Sequence, residues 1–241
     1  MPLASTNILM RKFVTAFFLA LSLLALPTGA FTQTPNKLAQ HTRPADEASS
    51  PSSAYLFKFE NERFTTPLQQ IEFDGNGRGQ FRFKKKDVDE IVNDLTVSSA
   101  VLSQIQSLFS QLNFLTSEES YQHKKDFSHL GTVTISQTQN GKERSVKFNY
   151  TDNPLMSQLR DIFQNIINQE TRFFEIETVR ATDPISTPTQ MRLLDDDLKA
   201  KRIADPQRFV PLLKDLKLDE SVPLITRNHA ERLLQRINRG K

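Results

Sequence analysis

Gln69-Gln-Ile71-Glu-Phe73-Asp74-Gly75-Asn76-Gly77-Arg78-Gly79-Gln80-Phe81-Arg82-Phe83-Lys84 decides the fold class. Apolar and polar residues alternate on both sides of a glycine-rich centre. A period of two is the pattern of a strand with one buried face. Asp74-Gly75 and Asn76-Gly77 are dipeptides that tolerate positive φ in a tight turn. The stretch is therefore a β-hairpin, with Ile71, Phe73, Phe81 and Phe83 facing a core.

The same alternation precedes it. Tyr55, Phe57 and Phe59 are separated by Leu56 and Lys58, which adds a strand. Downstream, Ser98 to Leu115 changes period. Val101, Leu102, Ile105, Leu108, Phe109 and Leu112 form one apolar stripe at helical spacing, and Ser98 is placed to cap it. A second hairpin follows in Thr132–Ser136 and Ser145–Tyr150, joined through Asn140-Gly141, a pair suited to a two-residue I′ turn. Asn153-Pro154 then opens a helix carrying Leu155, Leu159, Ile162, Phe163, Ile166 and Ile167 on one face. Phe173-Phe174 either continue that helix or open a strand with Ile176.

The order β-ββ-α-ββ-α predicts an α+β fold over 55–178: an antiparallel sheet of two hairpin–helix units with both helices on one face. Pro184 and Pro188 mark 179–189 as a linker. Residues 190–239 follow as a small C-terminal helical segment, marked by Met191, Leu194 and Leu198, then Phe209 to Leu216, then Ile225 to Ile237.

Ahead of the domain, Arg11-Lys12, the 14-residue apolar run Phe13–Leu26, and Thr28-Gly29-Ala30 have the order of a secretory signal peptide. Cleavage is expected after Ala30. Removing 30 of 241 residues leaves 211, enough for one ordinary domain. Residues 31–53, rich in Ser, Pro and Thr without apolar period, read as a disordered spacer. The chain is expected to be periplasmic or secreted. A membrane partner enters only if the leader stays uncleaved.

Composition excludes several classes of function. Without cysteine there is no disulfide, thiolate nucleophile or cysteine-ligated metal. Lys plus Arg is 31 against 28 Asp plus Glu, a small surplus that does not suggest nucleic acid. No Walker loop, dinucleotide fingerprint or Gly-x-Ser-x-Gly elbow is present, so no cofactor is expected. Residues 189–241 are mildly basic, with 12 basic and 8 acidic side chains.

Four groups of residues bear on chemistry. His123, Asp126 and His129 supply two imidazoles and a carboxylate, a ligand set for a catalytic zinc. Their H-x-x-D-x-x-H spacing suits a solvated loop as well. Asp74–Gly79 has the flavour of a calcium loop, but Arg78 and Lys85 stand where oxygen ligands are required. Asp195-Asp196-Asp197 point about 100° apart on a helix, and Asp197 is spaced to pair with Lys201. Arg78, Arg82 and Lys84–Lys86 beside Phe81 and Phe83 are spaced for base stacking, but phenylalanines facing the core make nucleic acid an unexpected partner.

Ala204-Asp-Pro206, Val210-Pro-Leu-Leu-Lys-Asp-Leu216, Asp219-Glu-Ser-Val-Pro223 and His229-Ala-Glu-Arg-Leu-Leu-Gln-Arg-Ile237 resemble one helical hairpin of HEAT type. The resemblance covers about 35 residues, while solenoids need about three stacked repeats. It implies a protein-binding surface rather than catalysis. The leader, spacer and paired hairpin–helix plan are together similar to exported bacterial proteins without an assigned function.

The sequence thus favours an exported, non-catalytic binding or structural module with a protein partner in the cell envelope. Its candidate contact residues are Arg232 and Arg236 in the last helix and Gln104 and Gln111 on the polar face of 98–115. The alternative is a small exported hydrolase, metal-dependent through His123, Asp126 and His129.

Overall fold

The computed structural model describes residues 53–239. The leader, its cleavage point after Ala30 and the spacer up to residue 52 lie outside the described residues. Six strands, β1 (Ser53–Glu60), β2 (Leu68–Asp74), β3 (Arg78–Lys84), β4 (Ile91–Thr96), β5 (Thr132–Gln139) and β6 (Lys142–Phe148), form one sheet. Its order is β4-β3-β2-β1-β5-β6, and every neighbouring pair is antiparallel. Five helices follow the chain: α1 (Ser99–Gln111), α2 (Pro154–Thr182), α3 (Thr187–Lys199), α4 (Val210–Leu218) and α5 (Leu224–Arg239). The α+β class and the antiparallel hairpins match the sequence reading.

Both hairpins form as their turn residues require. Asp74 Oδ1 accepts from the amides of Asn76 at 2.8 Å and Arg78 at 2.9 Å, and Gly77 takes φ +80°. The loop with a calcium flavour is thus a hairpin turn organised by its own aspartate. Asn140 and Gly141 both have positive φ, 53° and 76°, as a I′ turn demands. Gly79 has a different task. A Cβ there would sit 1.8 Å from the carbonyl oxygen of Glu72, so only glycine lets β3 approach β2.

The sequence pattern did not reveal β4. Its inward row is Ile91, Asn93 and Leu95, opposite Phe83, Phe81 and Gly79. Asn93 interrupts the apolar period, which an edge strand tolerates. Helix α1 is shorter than the expected 98–115. Asn113 takes φ +46° just past its end, and the amide of Phe114 bonds back to the Phe109 carbonyl at 3.1 Å. Ser98 stands at its N-cap without a capping side-chain bond. Asn153 does cap α2, accepting from Leu155 and Met156.

Helices α1 and α2 cover one sheet face. Phe163 of α2 lies at the centre, with ring centroids 5.3 Å from Phe57, 6.1 Å from Phe73 and 6.3 Å from Phe109. Each such ring, once buried, contributes about 1.5–3 kcal/mol of hydrophobic stabilisation.

The largest departure from expectation is at 179–189. That stretch is not an extended linker. Helix α2 has 29 residues and runs to Thr182, Phe173 and Phe174 included. Asp183-Pro184 ends it, and a single tight turn, Pro184–Ser186, leads directly into α3. Proline is tolerated at the first turn of a helix, so both prolines mark helix starts at a corner. The C-terminal half of α2 then serves the tail. Ile176 packs with Met191 and Leu194 of α3, Leu212, Leu213 and Leu216 of α4, and Ala230, Leu233 and Ile237 of α5. Helices α4 and α5 pair as the small C-terminal helical unit.

The membrane partner expected for an uncleaved leader is corrected here. Among the described residues no helix is long and apolar enough to cross a membrane.

Candidate functional site

The outer surface of the tail is built by α5. Its inner stripe is Thr226, Ala230, Leu233 and Ile237. On the opposite side Ile225, Asn228, Arg232, Gln235 and Arg239 recur at three- and four-residue spacing, and all are exposed. The helix carries four arginines against one glutamate. Arg232 forms no ion pair among the described residues. Arg236 is engaged differently, for it binds Asp195 of α3, which also pairs with Lys199 at 2.6 Å. The two arginines singled out in the sequence therefore differ: Arg236 ties α5 to α3, and Arg232 is presented to solvent.

Large apolar side chains are exposed at the N-terminal end of the same helix. Leu224 and Ile225 are 61% and 60% exposed, Leu218 at the end of α4 is 77% exposed, and Ile185 at the α2–α3 corner is 80% exposed. Two contacts hold this end together. Thr187 Oγ1 meets Thr226 Oγ1 at 2.8 Å in a fully buried pair. Arg180 donates to Asp219 at 2.6 Å. The Ser221 hydroxyl and amide, followed by Arg180, hold the Asp219 carboxyl below the usual carboxylate range. The α4–α5 turn is thus fixed, with Val222 buried in the tail core and Leu218, Leu224 and Ile225 facing outward.

His229 lies between the inner and outer faces of α5. Burial first, then the charges of Arg232 and Lys199, push its imidazole below the ordinary value of 6.5. Asp195 Oδ2 lies 4.0 Å away. The ring is packed, as a lone histidine on an apolar helix side is expected to be.

Gln104 and Gln111 line a groove between α1 and α2 of about 600 Å³ with Ser107, Gln158, Asp161 and Asn165. Gln111 donates to Ser107 Oγ at 3.1 Å. The groove belongs to α1 and α2, the sheet-covering helices.

His123, Asp126 and His129 are not brought together as a ligand set. His123 Nε2 lies 3.2 Å from Asp152 Oδ2, and its Nδ1 accepts the Lys125 amide at 2.9 Å. Asp126 Oδ1 accepts from Ser128 N and Asn149 Nδ2, each at 2.8 Å. His129 follows in a short turn, Ser128–Leu130, with its carbonyl accepting from Asn61. Among the described residues no three His, Asp or Glu side chains are grouped to hold a metal ion. The Asp195–Asp197 run also diverges. Asp197 pairs with Arg172 at 3.0 Å and Arg202 at 2.8 Å rather than with Lys201. Lys201 has φ +55° just past the helix, out of the expected i,i+4 geometry.

Sequence reasoning missed the exposed apolar end. Ile225 stands in the sequence among the apolar marks of the last helix, Leu218 and Leu224 stand outside them, and only the packing of α4 on α5 decides which of these residues are covered. Comparison with protein-family models and with curated proteins finds no match for this chain.

Proposed function

We propose that the protein is an exported, non-catalytic module that binds a protein partner through the outer face of α5. The observation that carries this reading is the juxtaposition of exposed Leu224 and Ile225 with exposed Arg232 and Arg239 on one helix face. Apolar residues that adjoin one another on an exposed surface, rather than singly, are a mark of recognition sites. Arginine beside apolar residues is the composition of interface centres. The complementary partner segment is acidic and amphipathic, laying its apolar residues along the α4–α5 turn and its carboxylates against Arg232 and Arg239. The HEAT-like hairpin supports the same reading, and the leader-like segment 1–30 supports export. The hydrolase alternative has no comparable support, because both ring nitrogens of His123 and Oδ1 of Asp126 are already engaged.

Fluorescence anisotropy with a labelled helical peptide of alternating Leu/Ile and Glu faces tests the proposal. A peptide with Lys in place of Glu is the control. Binding of the acidic peptide alone, weakened by Ile225→Asp, by Arg232→Glu and by added salt, is expected. Equal binding of both peptides, or binding indifferent to both substitutions, would contradict it.

A further inference from the structure

The two edges of the sheet are not equivalent. The strand order leaves β4 and β6 with one neighbour each. An edge strand offers a row of unpaired backbone donors and acceptors to any extended chain, and charged side chains are the common guard. β6 is guarded. It carries Lys142, Glu143, Arg144 and Lys147. Arg144 also donates to the carbonyls of Phe114 and Glu119, which ties the 114–119 loop to that strand. β4, Ile91-Val-Asn-Asp-Leu-Thr96, has no lysine, arginine or proline and a single charge, Asp94. Its Val92 is 45% exposed.

The direction of the free groups on β4 follows from the ladder. The Val97 amide donates to the Gly77 carbonyl at 2.8 Å. In the same register, alternate residues Leu95, Asn93 and Ile91 exchange bonds with β3. The amides and carbonyls of Val92, Asp94 and Thr96 therefore point to the open side. All three residues are exposed.

On the helix side of this edge lies a crevice of about 150 Å³ between β4 and α2. Its accessible walls are Asn93 and Asp94, the half-buried rings of Phe173 and Phe174, Glu177, and Arg208 from the turn before α4. Three carboxylates line it, those of Asp94, Glu170 and Glu177, against the one guanidinium of Arg208. That guanidinium is engaged, 4.2 Å over the Phe173 ring and 3.5 Å from Glu170. Asp94 and Glu177 form no ion pair among the described residues. A strand added to β4 sends every second side chain to the helix side, and the one opposite Asn93 meets the crevice. Rings flanked by exposed carboxylates suit a lysine, whose methylene stem packs on the rings while its ammonium stays beside the acids. We propose that β4 is a docking edge for an extended, basic segment of a partner protein, which lengthens the sheet by one strand and seats a lysine in this crevice. This edge is independent of the α5 face, which is proposed to take an acidic helix.

Heteronuclear NMR on the full chain tests it, with the capped peptide Thr-Val-Thr-Lys-Thr-Val-Thr as the probe. One control peptide has Glu for Lys. A second is N-methylated at its threonine amides, which keeps the charge but cannot complete a ladder. The lysine peptide alone is expected to bind, and to slow hydrogen exchange at the Val92, Asp94 and Thr96 amides without affecting β6. Glu177→Lys, at an exposed helix position, should weaken that binding about tenfold without lowering the melting temperature. Asp94→Pro removes an outward amide and leaves the bonds to β3, so it should abolish binding. Equal binding of either control peptide, protection at β6 or α5 instead, binding unchanged in both variants, or no binding of the lysine peptide would overturn the proposal. A dimer of the free chain that Asp94→Pro dissociates would assign the edge to a second copy and overturn it equally.

Discussion

The sheet core is aromatic and the tail core is aliphatic, although both grow from α2. Under the sheet, Phe57, Phe73, Phe81, Phe83, Phe109 and Phe163 are buried. In the tail, Leu194, Leu212, Leu213, Leu216 and Leu233 surround Phe209. The tail adds ionic ties: Arg172 of α2 and Arg202 past α3 on Asp197, Arg180 of α2 on Asp219 past α4, and Arg236 of α5 on Asp195 of α3. The surfaces differ as well. The open sheet face is covered by polar partners such as Arg82 on Glu72 and Ser136 on Ser145. Apolar side chains are exposed in both regions, but Phe64, Val88, Val92, Leu130 and Tyr150 around the sheet are 38–48% exposed, whereas Ile185, Leu218, Leu224 and Ile225 in the tail are 60–80% exposed. The tail's ion pairs hold its helices while its most exposed apolar side chains face water, the arrangement on which the proposed recognition rests, whereas the sheet buries its rings under α1 and α2.

The comparison can be broken most severely at the sheet. Phe163→Ala should cost about 3–5 kcal/mol, because it opens a cavity among three other rings; urea denaturation measures this. The next effect tests whether the two cores are coupled. Thr171 lies in α2 between Ile167, in the sheet core, and Ile176, in the tail core. Thr171→Pro should cost about 3 kcal/mol and split one unfolding transition into two. A single, merely shifted transition would show that docking of Gln169 and Glu170 against Asp205 and Arg208 suffices to couple them.

A smaller effect belongs to the tail alone. Because His229 titrates below 6.5 in the folded chain, the unfolded chain takes up its proton first on acidification. Its contribution to stability is complete above 6.5 and is lost as the pH falls through the folded value. His229→Gln should flatten that share of the pH dependence, read by thermal melts between neutral and acidic pH. The smallest effect on stability is Arg232→Glu, expected to stay within about 0.5 kcal/mol, since Arg232 holds no partner in the fold.

Much of this contrast was legible in the sequence. Period-two alternation with Asn-Gly turns located both hairpins, and helical stripes located α1 and the start of α2. Reading failed where local signals carry two meanings. Pro184 and Pro188 looked like linker punctuation, but proline also starts helices. Asn93 hid an edge strand. Of the candidate site residues, Arg232 is exposed without an ion pair among the described residues, and Arg236 is tied to Asp195. Arg236 was not distinguishable from Arg232, because its partner Asp195 is 41 residues away.

The most direct test of the contrast is site-specific photocrosslinking in cells producing the full chain. A photoreactive residue is placed either at position 225 in the tail or at position 104 on the sheet-covering helix, and the adducts are sequenced by mass spectrometry. The account predicts a discrete protein adduct from position 225 whose crosslinked segment is acidic and amphipathic, lost with Arg232→Glu, and none from position 104. An adduct from position 104 alone, or a segment at position 225 without acidic character, would contradict it.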